Sequence, residues 1–361
     1  MATTNNTLFG NKFSISALAD SVTDRATKGV LILVLDDATV APKLYTYNKL
    51  KEVAEEYDTK NKEYITTAFI DYKVKKVLVA VGHDEVQGIT GSLDNTLALL
   101  NKVRVNGYMA VPQLINEQDK KKVADFIKTQ RNDEDYPLKG VLCNYPADNE
   151  GITNFTGDNL GIEGYTPDEY CLDIACMKCT LGANENLTNH VAKKVKSCDV
   201  KNYPDACVSQ GELFLINNGT DIVFSNDVNS LTTIPTGQNE FLTHARVVDV
   251  LDMVKEDINA ICNKTITGKM GNSYSNRRTV VANLCKYLKS LKGYLSNDDL
   301  SYAELDLEAT KEYLDSINFD YSEMDDETIL KQKIGTYVFI KITVYVMDIM
   351  EHINFNIKYQ I

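Results

Sequence analysis

The chain has 361 residues, 43% hydrophobic and 25% charged, with 51 acidic against 38 basic side chains and a formal net charge of −13. That length exceeds one ordinary core and points to about two domains of ~150 residues each. The acidic excess argues against nucleic-acid binding, which needs basic patches. No apolar run reaches the ~20 residues of a membrane span.

Met1–Thr7 has neither a basic nor an apolar stretch, so no signal peptide is expected. Residues 1–28 are polar apart from the small cluster Leu8, Phe9, Phe13, Ile15 and Leu18, and read as an arm that needs another surface to lie on. Gly29–Leu35 is a continuous apolar run, the pattern of a strand buried on both faces. Tyr47–Tyr57 carries Leu50, Val53, Ala54 and Tyr57 at helical spacing, and a second helix is expected near Glu63–Ile70. Val74–Val81 reads as a strand and Ser92–Val103 as a helix capped by Ser92. Gly107–Val111 is a third strand, Asn116 caps a helix over Glu117–Arg131, and Leu138–Cys143 is a fourth strand. Strand alternating with helix implies an α/β layer with a mostly parallel sheet.

Residues 144–166 are rich in Gly, Asn and Asp, and a domain boundary, placed at 165/166, or a long surface loop is expected there. Thr166 with Pro167 starts a helix running to about Leu181. Asn218 and Gly219, between Gly211–Ile216 and Asp221–Phe224, signal a hairpin with a type I′ turn. A long helix from about Glu240 carries the stripe Val247, Leu251, Val254, Ile258 and Ile261. A second helix carries Val281, Leu284, Leu288 and Leu291. Asp298–Leu307 reads as acidic and partly irregular, and a helix is expected around Glu308–Leu314. Tyr337–Val346 alternates as a strand, and so does Asn354–Ile361, with Phe355, Ile357, Tyr359 and Ile361 on one face. A strand that ends a chain needs a partner edge in its own sheet or in another subunit's.

Several residue groups invite chemical readings. Cys171, Cys176 and Cys179, with His190, Cys198 and Cys207 downstream, raise zinc. However, Cys176 and Cys179 lie on a predicted helix and the second cysteine pair is too widely spaced, so buried thiols are expected and no metal. Asp36 and Asp37 after an apolar strand suggest an acidic pocket, but strand-end acids commonly start turns and helices. No phosphate loop, nucleophile elbow or zincin motif occurs. Asn154, Asn186, Asn218 and Asn263 begin glycosylation triplets that nothing in the sequence places in a secretory context. The acidic run Glu323–Glu327 reads as a solvated loop.

Gly211–Leu215, Asn218–Gly219, Asp227–Thr233 and Arg246–Ile258 together, in that order, resemble the contractile tail sheath proteins of myophages and phage-tail-like bacteriocins. Gly268, Lys269, Asn272, Tyr287, Leu288 and Gly293 are similar to the next block of that family, and Val344–Ile361 to its last. The length resembles the compact type found in prophage-like elements and bacteriocins of Gram-positive bacteria. The fold this implies is α/β plus α+β, two domains with extended N- and C-terminal strand arms: an arm at 1–28, an α/β domain at 29–165, a sheath core at 166–349 and an arm at 350–361.

The implied function is mechanical. Subunits polymerise as stacked hexameric rings in a helical sheath around an inner tail tube, and contraction drives the tube through a target envelope. The arms donate strands to neighbouring subunits through Leu8, Phe9, Phe13, Ile15, Phe355, Ile357, Tyr359 and Ile361. The resemblance implies no catalysis, cofactor, nucleic acid or membrane insertion. It implies baseplate and tail-terminator partners, and a place in a virion tail or bacteriocin particle assembled in the bacterial cytoplasm. The rival readings are an α/β enzyme or nucleotide-binding protein, and a metal-stabilised interaction protein built around 171–207.

Overall fold

The apolar run after Gly29 becomes β1 (Val30–Asp36), the third strand of a seven-stranded sheet in a computed structural model. The structure describes residues 29–351 except 54–55, 102–104, 115, 158, 163, 183, 235, 237–238 and 297–299. The expected arm at 1–28 and residues 352–361 of the expected C-terminal arm, with Leu8, Phe9, Phe13, Ile15, Phe355, Ile357, Tyr359 and Ile361, lie outside the described residues.

After β1 come β2 (Leu44–Tyr47), α1 (Thr59–Ile70), β3 (Val77–Gly82), α2 (Ile89–Leu100), β4 (Gly107–Ala110), α3 (Glu117–Asn132) and β5 (Leu138–Cys143). Next are β6 (Ile152–Phe155), β7 (Gly161–Ile162), α4 (Pro167–Thr180), β8 (Val195–Ser197), α5 (Pro204–Ser209), β9 (Glu212–Leu213), β10 (Leu215–Asn217) and β11 (Ile222–Phe224). The main sheet runs β2-β3-β1-β4-β5-β6-β9, and β2 alone is antiparallel.

Alternate residues of β1 face opposite layers, as strand geometry requires. Leu31, Leu33 and Leu35 join Tyr64, Ile65 and Ala68 of α1 and Leu172, Ala175 and Cys176 of α4. Ile32 and Val34 join Leu93 and Leu97 of α2 and Val123 and Ile127 of α3. The result is a doubly wound three-layer unit. Its helix starts follow local chemistry. Asn116 accepts from Asp119 N, and Thr166 and Glu169 form a capping box behind Pro167.

Of the described residues, 29–249 and 349–351 form one compact unit and Val250–Asp348 the other. The division therefore does not fall at 165/166. The Gly/Asn/Asp-rich stretch instead carries β6, which pairs with β5 at Gly140↔Ile152. β6 follows β5 through a sharp return in which Asn144 and Asp148 both take positive φ, 49° each. A return without a crossover helix leaves no periodic signal.

Other expectations are corrected locally. Tyr47 ends β2 instead of starting a helix, and only a 3₁₀ turn follows at Leu50–Glu52. Tyr45, Tyr47 and Tyr57 cluster, with the Tyr47 and Tyr57 hydroxyls 3.1 Å apart, which packs β2 against the chain that leads into α1. Ser92 does not cap α2, whose N-cap is Gly88; Ser92 is buried inside the helix and donates to Asp36 at 2.9 Å. In the Asn218–Asp221 turn only Gly219 has positive φ, 96°, so the turn is not type I′.

The other unit takes in most of α6 (Ala245–Thr265), then α7 (Tyr274–Ser290), β12 (Tyr302–Leu305), α8 (Leu307–Ser316), α9 (Asp326–Lys331) and β13 (Ile340–Thr343). β12 falls where irregular chain was expected. The strand expected over Tyr337–Val346 is shorter, because Tyr337 and Phe339 stack at 6.1 Å and pack against Tyr313 of α8. Among the described residues no helix is long and apolar enough to cross a membrane.

Candidate assembly site

β12 and β13 form a two-stranded antiparallel sheet, Tyr302↔Thr343 to Leu305↔Ile340. One face is apolar. Ala303, Ile340 and Ile342 pack with Val280 and Leu284 of α7 and Ile258 of α6. The strand direction continues past β13, since Ser296 N donates to Tyr345 O and Met347 N to Tyr294 O, each at 2.9 Å.

The two edges differ. Ala303 and Ile342 oppose each other, and the Ala303 amide and carbonyl both point away from β13 to Sγ of Cys285, at 3.3 Å each. That edge is closed by α7. Among the described residues no strand pairs with the other edge of β13. An unpaired strand edge beside a buried apolar face is a template for another strand.

The residues that carry the resemblance in the other unit serve burial. Asp227 pairs with Lys178 of α4, and Asp249 lies 2.8 Å from Lys139 of β5 and accepts from Tyr108 at 2.9 Å. All five side chains are buried. Both ammonium groups lie over the Tyr108 ring. Burial, then the charge of Asp249, raises the Tyr108 phenol well above its ordinary range, so it stays a donor. Sequence reasoning missed Lys139 and Lys178. The available signal was a single lysine inside the apolar strand β5, and a lysine among the apolar residues that end α4, each of which implies a buried counter-charge.

Asp36 and Asp37 are occupied by their own loops. Asp37 accepts from Thr39, Asp58 N at 3.0 Å and Asn61 at 2.8 Å. Burial opposes its charge, but these hydrogen bonds outweigh burial and hold the carboxyl below its ordinary value. Asp36 accepts from His83, Asp84 N and Ser92, and its amide donates to Gln113. Cys171, Cys176 and Cys179 are buried along α4, whereas Cys198 and Cys207 are half-buried. Burial pushes the Cys179 thiol up to about 12. Among the described residues no group of three or more His, Cys, Asp or Glu is arranged to hold a metal ion.

The chain combines a doubly wound unit with a smaller unit that carries a two-stranded sheet. No family model matches the chain. It is 29% identical over 357 residues to the tail sheath protein of Clostridium phage phiCD119, covering 94% of this chain and 96% of that one. The fold matches the sheath tail protein of Listeria innocua with a TM-score of 0.68 at 14% identity, over 92% of this chain and 98% of that one. It also matches a contracted sheath of an extracellular contractile injection system, with a TM-score of 0.60 at 12% identity over 99% and 97%. That similarity to a tail sheath protein along nearly the whole of both chains supports a structural sheath subunit role.

Proposed function

We propose that the chain polymerises as stacked hexameric rings around an inner tail tube, in a sheath whose contraction drives that tube through a target envelope. The observation that carries this is similarity to a phage tail sheath protein along nearly the whole of both chains. The arms at 1–28 and 350–361 donate strands to neighbours through Leu8, Phe9, Phe13, Ile15, Phe355, Ile357, Tyr359 and Ile361, and the free edge of β13 is the acceptor. Main-chain ladder bonds survive a rigid-body rotation that exchanges side-chain surfaces, so the mesh stays connected during contraction. The subunit does no catalysis. Its partners are further copies of itself, the tube protein and the baseplate and terminator proteins that bound the sheath. It resides in a virion tail or bacteriocin particle and is assembled in the host cytoplasm.

Expression of the chain alone followed by negative-stain electron microscopy tests this. Striated tubes or large rings are expected, and a persistently monomeric product overturns the reading. Deleting Asn354–Ile361 should leave a folded subunit that forms no tubes. If the truncated chain unfolds, the segment belongs to its own core and the arm model fails.

A further inference from the structure

Glu351 is the second residue of the stretch read as the C-terminal arm, 350–361, and its carboxylate has a built receptor. Asn186 Nδ2 and Thr188 Oγ1 both donate to Glu351 Oε1, Thr188 at 2.9 Å. The receptor is held firmly. Thr188 N donates back to Asn186 Oδ1 at 3.2 Å, and Asn189 N donates to Phe224 O at 2.8 Å. Between the two donors, Leu187 is fully buried, and its amide donates to Asp227, the partner of buried Lys178. Asn186, Leu187 and Thr188 are one of the glycosylation-like triplets in the sequence, which here serves as a carboxylate clamp.

The position of Glu351 in the chain gives the clamp its meaning. Met347 is still hydrogen-bonded within the 250–348 unit, through Tyr294 O. Glu351 belongs to the other unit, where both of its partners lie.

We infer that Glu351, gripped by Asn186 and Thr188, is the positioning residue that fixes the root of the C-terminal connector. This rests on the sheath reading and adds a residue and a receptor to it. A ten-residue segment can reach at most ~33–36 Å from its root. Fixing that root concentrates the segment near one acceptor edge, whereas a loose root spreads it over a larger volume and lowers its effective concentration there. Two hydrogen bonds to a carboxylate are charge-assisted and directional, which suits them to set an exit direction. The clamp therefore acts on assembly and contributes little to the stability of the subunit.

The test compares full-length wild type, Glu351→Ala, Glu351→Gln and Thr188→Val. Urea midpoints report folding, and the concentration at which half the protein sediments as tubes reports assembly. Glu351→Ala should raise that concentration about tenfold by loosening the root, with a urea midpoint close to wild type. Glu351→Gln keeps the accepting oxygen and should stay within about threefold of wild type. Thr188→Val should fall between them, and Glu351→Ala with Thr188→Val should be no worse than Glu351→Ala alone. Assembly of Glu351→Ala at the wild-type concentration overturns the inference while leaving the sheath reading intact. So does a fall in urea midpoint that accounts for the lost assembly. Failure of the wild type to assemble overturns the sheath reading itself.

Discussion

Sγ of Cys285 sits 3.3 Å from both the amide nitrogen and the carbonyl oxygen of Ala303, so one thiol occupies both main-chain groups at the outer edge of β12. Cys285→Ala leaves those groups without that partner and removes a packed atom. A loss of about 1–2 kcal/mol in urea unfolding is expected, with faster hydrogen exchange at the Ala303 amide. An unchanged exchange rate would mean that the β12 edge is protected by other contacts.

The Lys178–Asp227 pair is buried at both ends. Lys178→Met strands the Asp227 carboxylate and should cost about 3–5 kcal/mol in chemical denaturation. Removing the orphaned charge as well, in Lys178→Met with Asp227→Leu, should recover more than half of that loss. If the double variant is no better than the single one, the lysine acts by packing alone.

Asp148 receives Thr232 N at 2.7 Å and Thr233 N at 2.8 Å, which ties the 231–233 loop to the return between β5 and β6. Burial raises its pKa, but the hydrogen bonds from Thr232 and Thr233 win and depress it from 3.8 to about 2. A depressed carboxylate stabilises the fold above its unfolded pKa, and that contribution is lost as pH falls through the folded one. Stability should therefore drop between about pH 4 and about pH 2, and Asp148→Asn should flatten that part of the profile. A variant profile that overlays the wild type after a constant offset would remove Asp148 as the cause.

Gly211 has φ of 71°, and a Cβ there would lie 2.8 Å from Asn229 O and 2.9 Å from the Ser230 Cα. The conformation and the crowding both oppose a side chain. Gly211→Ala should cost at least about 2 kcal/mol, read as a lowered Tm. An unchanged Tm would show that the Ser230 backbone can retreat.

Thiol labelling separates the two groups of cysteines. In the native subunit at pH 8, Cys198 and Cys207 should react with a maleimide while Cys171, Cys176 and Cys179 remain protected until unfolding, because burial raises the thiols of these three and blocks access. Early labelling of Cys176 would show that α4 opens locally.

The amino-acid sequence by itself determined β1, β3, β4 and β5 and the helices α1 to α3, because fully buried strands and amphipathic helices leave local periodic signals. It determined the caps Asn116 and Thr166, which are local chemistry, and the ordered residues from Gly211 to Ile258 that carry the sheath resemblance. It could not reveal that Asp227 and Asp249 meet Lys178 and Lys139, since those partners lie far apart in the chain. Nor could it show β6 and β12, short strands whose only support is a neighbour's ladder. The tertiary structure alone decided where the chain divides, at Asp249/Val250, because packing of α4 on the sheet and pairing of β9 with β6 outweigh the loop-like composition of 144–166. It also decided which edge of the small sheet has no strand partner among the described residues. That depends on Cys285 reaching across from a helix to close the edge of β12, a contact that no spacing of residues encodes.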